Sequence, residues 1–311
     1  MISKKQIVDS LKKSLESENK QEVSSADLEQ FLSRYDGWDR IDHSINLEEE
    51  VRKNGIRKGM TTGVNDLDSI LGGFYEDQVI VVVARPKSGK TSFALYLTEM
   101  MERQSPLFLA LEQSPRELIE QMVERNIKIP FFYTPRSTEN IDKTTDWIHL
   151  KIVESQYRSV KDNRQPTKLV LIDHFGYVTR RASSDQVTWS IIGAMQDLKQ
   201  IAKQTKTAIV IIVHTTKGDP LEAPTTEDLF GSAGYHQEAD TVLSLWRETY
   251  KEDKKMCQTN NVLLQVLANR KKGITGAIKF QFNNGRFNRI DWVDHAGAKA
   301  DRELNDWTQG L

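Results

Sequence analysis

The stretch Ala84-Arg85-Pro86-Lys87-Ser88-Gly89-Lys90-Thr91 constrains this chain more than any other feature. It follows the apolar run QVIVVV at 78–83 and opens a helical pattern over 90–103. A strand that turns into a helix through Gly-Lys-Thr is the setting of a phosphate-binding loop. Arg85, Pro86, Lys87, Ser88 and Gly89 would wrap the phosphates of ATP or another NTP, with the first helical amides, through Ser92, behind them. Lys90 would bridge the β- and γ-phosphates, and the Thr91 hydroxyl would ligate Mg²⁺. Ala84 stands where the strict pattern has its first glycine.

Around this loop the sequence alternates strand and helix. Leu107–Leu111, KLVLID (168–173) and AIVIIV (208–213) read as buried strands, and 115–125 and 187–204 as helices. The long helix would turn Val187, Ile191, Ile192, Met195, Leu198 and Ile201 inward. Strands that are apolar throughout, each followed by a helix, predict a mainly parallel sheet covered on both faces, an α/β fold. Toward the end, 241–246, 262–267 and 278–282 read as strands, and Asn284-Gly285 as a hairpin turn into 286–290.

Residues 1–57 differ. They show helical periodicity at Ile7, Val8, Leu11, Leu15 and at Leu28, Phe31, Leu32, Tyr35. Asn46-x-x-Glu49 resembles a capping box, with Gly55 as the stop. We expect a helical N-terminal arm and linker over 1–57, a core over 58–292 and a polar tail over 293–311.

A phosphate loop alone does not separate a kinase, a GTPase and a motor. Asp173, which closes KLVLID, is placed to hold Mg²⁺ through water. Its neighbour His174 is not an acid, so the base for a water attack comes from elsewhere. Glu112 ends the strand after the phosphate-loop helix, at the edge where parallel sheets bind ligands. Position alone leaves it open between a catalytic base and an exposed or salt-bridged glutamate.

Composition narrows the class. With 43 Lys+Arg against 44 Asp+Glu the net charge is −1, which excludes a bulk-basic nucleic-acid binder but not a local basic surface. The single cysteine, Cys257, excludes a disulfide framework and a cysteine-ligated zinc site. We expect a cytoplasmic protein with no membrane partner.

Several motifs together resemble the DnaB-type replicative helicases. ARPKSGKT resembles their phosphate loop. Thr62-Gly63-x-x-Asp66-Leu67-Asp68 with Gly72-Gly73 resembles their entry to the ATPase core, LALEQSP their catalytic-glutamate strand, and LIDH their Mg²⁺-binding strand. Asp228-Leu229-Phe230-Gly231-Ser232, followed by Gln237-Glu238-Ala239-Asp240, resembles their second DNA-facing loop. The likeness runs over about 58–291. It implies a RecA-like ATPase in which six copies ring one DNA strand and hydrolyse ATP between subunits. Polarity on the strand would be 5′ to 3′, and Glu112 would be the catalytic base.

The departures point to one branch. His214 stands where these helicases usually carry glutamine, and is similar to the phage primase–helicase branch, in which this residue senses the γ-phosphate. Arg270, counted back from Gly273-Ile274-Thr275-Gly276, matches that branch's arginine finger, whereas the bacterial register falls on Lys271. We take Arg270. Arg247 matches an arginine that packs on the nucleotide base. Phe230 replaces a common arginine, which leaves backbone groups of Gly231 and Ser232 to hold DNA phosphates.

Single-stranded DNA would meet two loops at the ligand edge, one carrying Arg180 and Arg181 and the other starting at Lys217. Residues 261–290 hold six basic and no acidic side chains, and we expect these to face the ATP site and a neighbouring subunit. Within 311 residues we expect neither the large N-terminal domain of these helicases nor a primase module. Priming and loading at a replication fork would then fall to separate proteins. The competing readings are a non-helicase RecA-like DNA-binding ATPase (a recombination mediator, strand-annealing protein or loader) and a scaffolding ATPase that binds no nucleic acid.

Overall fold

A computed structural model describes residues 43–129, 131–178, 187–215, 218–225, 233–253 and 255–289. The chain divides into two units, Met1–Arg57 and Lys58–Leu311. The helices expected over 7–15 and 28–35 and the polar tail lie outside the described residues.

Of the first unit, the helix α1 spans Ser44–Asn54. Its cap is not Asn46 but His43, whose Nδ1 accepts from the Ile45 N–H at 3.2 Å. Asn46 falls inside the first turn instead. Gly55 ends the helix at φ 78°, donating to the Val51 carbonyl, as its position predicts. Ile45, Leu47 and Val51 are exposed.

The second unit is built on one eight-stranded sheet. Its strands are β1 (Val79–Ala84), β2 (Leu107–Ala110), β3 (Leu169–Asp173), β4 (Ala208–His214), β5 (Thr241–Glu252), β6 (Lys255–Asn269), β7 (Gly276–Asn283) and β8 (Arg286–Arg289). They lie in the order β2-β3-β4-β1-β5-β6-β7-β8. The first five in that order are parallel and the last three pair antiparallel. Because side chains alternate along a strand, β1 sends Ile80 and Val82 to one face and Val79, Val81 and Val83 to the other. The first face packs against α2 (Asn65–Leu71), α3 (Lys90–Met100) and α4 (Pro115–Glu124). The second packs against α5 (Thr145–Lys161), α6 (Val187–Thr205) and α7 (Ala233–Glu238). The expected α/β class and mainly parallel sheet are what the chain forms.

Three differences from the sequence reading have physical causes. Strands β5 and β6 run far beyond 241–246 and 262–267, as a hairpin whose outer residues are polar and lack an apolar run. The 17-residue α5 was not expected: it buries only Ile148, Ile152, Ser155 and Ser159, while Leu150, Val153, Tyr157 and Val160 are exposed. Apolar residues on both faces blur the helical period. On α6, Ile191, Met195, Leu198 and Ile201 are buried as expected, whereas Ile192 is only partly so; the Val187 side chain is outside the described set.

The Gly72-Gly73 pair has a backbone cause. Met60 and Phe74 form a bridge, and a Cβ on Gly73 would sit 2.4 Å from the Met60 carbonyl oxygen at φ 87°. Only glycine fits there. Asp68 ties the same entry by accepting from the Thr62 N–H (2.9 Å), the Thr62 hydroxyl (2.8 Å) and the Thr61 hydroxyl (2.5 Å).

Candidate active site

The five parallel strands point their C-terminal ends to one edge, and each delivers a residue of interest there. Strand β1 runs into the phosphate loop. Gly89 takes φ 88° at the start of α3, a left-handed value that suits glycine. The Arg85 carbonyl closes the loop, accepting from the Ser88 hydroxyl at 2.6 Å and from Lys90 Nζ at 3.2 Å. Lys90 is buried, which pulls its ammonium pKa down against the opposing charges of Asp173 and Glu112. Pro86 and Lys87 are exposed at the turn. Ser92, in the first turn of α3, lines a small cavity with Tyr96 and Phe287.

Asp173 ends β3 and is 2% exposed. Its Oδ2 accepts from the Thr91 hydroxyl at 2.6 Å, and its Oδ1 is buried without a partner. Burial first, and the Glu112 charge second, push its carboxyl up to about 6, against the Thr91 hydrogen bond and Lys90. A hydroxyl and a half-satisfied carboxylate side by side are hard oxygen donors suited to Mg²⁺, which keeps several waters and takes one or two protein oxygens. The residues present therefore fit the ion. Among the described residues no group of three or more His, Cys, Asp or Glu forms a larger metal cluster.

Glu112 follows β2, and its N–H donates to the Asp173 carbonyl at 3.2 Å. That backbone bond seats it next to the Mg²⁺ candidates. His214 ends β4, paired in register with Ala84. Its Nε2 stands 3.5 Å from Glu112 Oε2, and its Nδ1 is buried without a partner. Burial, followed by the Lys90 charge, lowers its pKa. The side-chain contact of Glu112 is thus with a site residue.

One neighbour went unassigned in the sequence. The His174 ring packs edge-on against His214 with centroids 4.1 Å apart. Its Nδ1 accepts from the Gly176 N–H at 3.1 Å, and burial holds its pKa down to about 4, so it is neutral. Gly176, two residues on, was the available signal: a Cβ there would meet the ring at 2.7 Å.

Arg247 lies two residues past the β5 residue that pairs with Ala84. Its guanidinium sits 5.1 Å from the Phe282 ring centroid and donates to the Thr259 carbonyl at 2.5 Å. Phe282 in turn flanks Gly89, 3.6 Å from where a Cβ would be. The Arg247–Phe282 pair therefore borders the phosphate loop.

Arg270 is not at this edge. It follows antiparallel β6, at the level where β5 begins, and its N–H donates to the Asp240 carbonyl at 2.9 Å. Its guanidinium donates to the Gln237 carbonyl at the end of α7. Counted along β1, that level is about five residues below the phosphate loop, roughly 17 Å. Lys271 holds its Nζ 3.0 Å from the Tyr75 ring centroid of its own chain. The DNA candidates Arg180, Arg181, Lys217, Gly231 and Ser232, and Phe230, lie outside the described residues.

A phosphate loop at the head of an interior parallel strand, with acids at the ends of β2 and β3 beyond the intervening β4, defines a RecA-like P-loop fold. The DnaB-like helicase C terminal domain family matches residues 59–151 and 136–290, and the chain belongs to that family. It is similar to the replicative DNA helicase DnaB of Haemophilus influenzae, at 24% identity over 79% of this chain and 58% of that one. It is also similar to the replicative DNA helicase DnaC of Bacillus subtilis, at 24% over 76% and 57%. The chain thus spans a little over half the length of these relatives. Among solved structures, a DnaB-like replicative helicase described with its interactions with primase superposes with a TM-score of 0.60. Identity there is 19%, covering 92% of this chain and 75% of the other. Among the described residues no helix is long and apolar enough to cross a membrane.

Proposed function

We propose that this chain is the motor of a replicative-type DNA helicase, a hexameric ring that moves 5′ to 3′ along single-stranded DNA by hydrolysing ATP between subunits. The observation that carries the reading is the division between the two sheet edges. Lys90, Thr91, Asp173, Glu112 and His214 share one edge, and Arg270 stands at the other, out of reach of its own phosphate loop. A ring in which the edge of one subunit faces the next brings the two halves together.

In that reading the residues divide the work. Lys90 leaves the Arg85 carbonyl to hold phosphate oxygens. Thr91 and Asp173 would hold Mg²⁺, which neutralises charge on the phosphates when bound. Glu112 orients a water and takes its proton at the carboxylate. His214, packed by His174 and facing Glu112, reads the γ-phosphate position. Arg270 of a neighbouring copy stabilises charge on the transferred group. Arg247 and Phe282 border the place for the base.

Assembly has support in the exposed apolar side chains of α5, Leu150, Val153, Tyr157 and Val160, spaced three, four and three residues apart. That is the seam a second helix packs against. Arg180, Arg181, Lys217, Gly231 and Ser232 are the proposed DNA contacts, tracking backbone phosphates. A separate primase is a proposed partner, a reading that the solved neighbour described with primase supports.

The test is ATP hydrolysis by the purified chain with and without single-stranded DNA, with imaging of ATP-analogue complexes. DNA stimulation that vanishes in Lys90→Ala, together with closed six-membered rings, is expected. Open filaments would favour the non-helicase DNA motor, and hydrolysis indifferent to DNA would overturn both.

A further inference from the structure

Residues 218–225 follow β4 and lie along β5. Three side chains donate to their carbonyls. Trp246 Nε1 reaches the Pro220 oxygen at 3.4 Å, Ser244 Oγ the Pro224 oxygen at 3.3 Å, and Arg85 Nη1 the Gly218 oxygen at 3.1 Å. The first two donors belong to β5, a fixed part of the sheet. Arg85 belongs to the phosphate loop.

Arg85 therefore faces two ways. Its carbonyl accepts from Ser88 and Lys90, the groups that an arriving phosphate draws toward itself. Its guanidinium holds Gly218. The remaining guanidinium nitrogens, Nε and Nη2, are buried without a hydrogen-bond partner. A buried donor group left partly unsatisfied favours any rearrangement that supplies acceptors. At the end of β4, the Thr215 N–H donates to the Ala84 carbonyl at 3.2 Å. Lys217, a proposed DNA contact, immediately precedes Gly218 in the sequence.

We propose that Arg85 is a positioning residue that transmits occupancy of the phosphate loop to residues 218–225, and so couples ATP binding to DNA affinity. The inference rests on the ATPase reading above. Phosphate at Lys90 and Ser88 withdraws both side-chain donors from the Arg85 carbonyl. The Arg85 carbonyl then keeps only the Ser88 N–H, at 3.3 Å, and as that residue shifts its grip on Gly218 shifts with it. By linkage, DNA must alter nucleotide affinity by the same factor.

The test uses the full chain and a fluorescent oligo-dT strand, titrated with and without Mg²⁺ and a non-hydrolysable ATP analogue. Binding of the analogue is measured separately. Arg85→Met keeps the stem but no donor, and Arg85→Lys keeps one donor. In the unaltered protein the analogue is expected to change DNA affinity on the order of tenfold. Arg85→Met should bring that ratio to within about twofold of unity, and Arg85→Lys should keep most of it. Amide exchange of 218–225 should respond to the analogue in the unaltered protein and not in Arg85→Met. An unchanged ratio in Arg85→Met, or one lost equally in Arg85→Lys, overturns the proposal alone. Failure of the unaltered protein to bind the analogue overturns the ATPase reading with it.

Discussion

Two aspartates mark opposite edges of the same sheet. Asp240, before β5, uses everything it has. Its Oδ2 accepts from the Val79 N–H at 3.0 Å, its Oδ1 pairs with Lys199 at 3.2 Å, and its backbone bonds Val79 and Arg270. Asp173, at the end of β3, is the more deeply buried, yet one oxygen has no partner and its pKa is raised. A fold maximising stability would not leave a buried carboxylate so. The difference separates an edge built to hold the sheet together from an edge kept short of partners until a ligand arrives.

The largest effect that would sharpen this contrast is in hydrolysis. Lys90→Ala should lower turnover at least ~100-fold, since it removes the one ammonium buried at the ligand edge among the described residues. Thermal unfolding should confirm that the fold persists.

The two aspartates themselves should respond with opposite signs. Asp173 binds its proton more tightly folded than unfolded. The stability this supplies is full below about pH 4, the ordinary carboxyl value, and is lost as pH rises through about 6. In metal-free protein above pH 6, Asp173→Asn should therefore stabilise, by up to ~3 kcal/mol, while hydrolysis is lost. Urea unfolding in chelator at pH 4 and pH 7 checks it; equal effects at both would break the comparison. Asp240→Asn should instead destabilise by ~1–2 kcal/mol, because Lys199 loses its charged partner.

The smallest effect tests whether nearness to the ligand edge matters by itself. Ser114, two residues after Glu112, forms a complete capping box with Glu117 at the start of α4. Ser114→Ala should cost ~1 kcal/mol in unfolding experiments, as any satisfied cap would.

Legibility followed the same division. The buried strands were readable because each is an apolar run, and Lys90, Thr91, Asp173 and Glu112 were readable because they close or follow such runs. The contacts that tune them were not. The packing of His174 on His214 and the reach of Arg85 to Gly218 join residues 40 and 133 positions apart, and neither leaves a local pattern. Helix α5 hid because apolar residues sit on both its faces, and the outer β5–β6 hairpin because it buries little.

The central claim is that hydrolysis needs the ligand edge of one subunit and Arg270 of another. Glu112→Gln and Arg270→Ala proteins, each inactive alone, should be mixed under conditions that let subunits exchange, and DNA-stimulated ATP hydrolysis measured. Activity well above either parent is predicted, because some interfaces then pair an intact Glu112 with an intact Arg270. A mixture in which exchange is demonstrated but activity stays at the parental level would contradict the account.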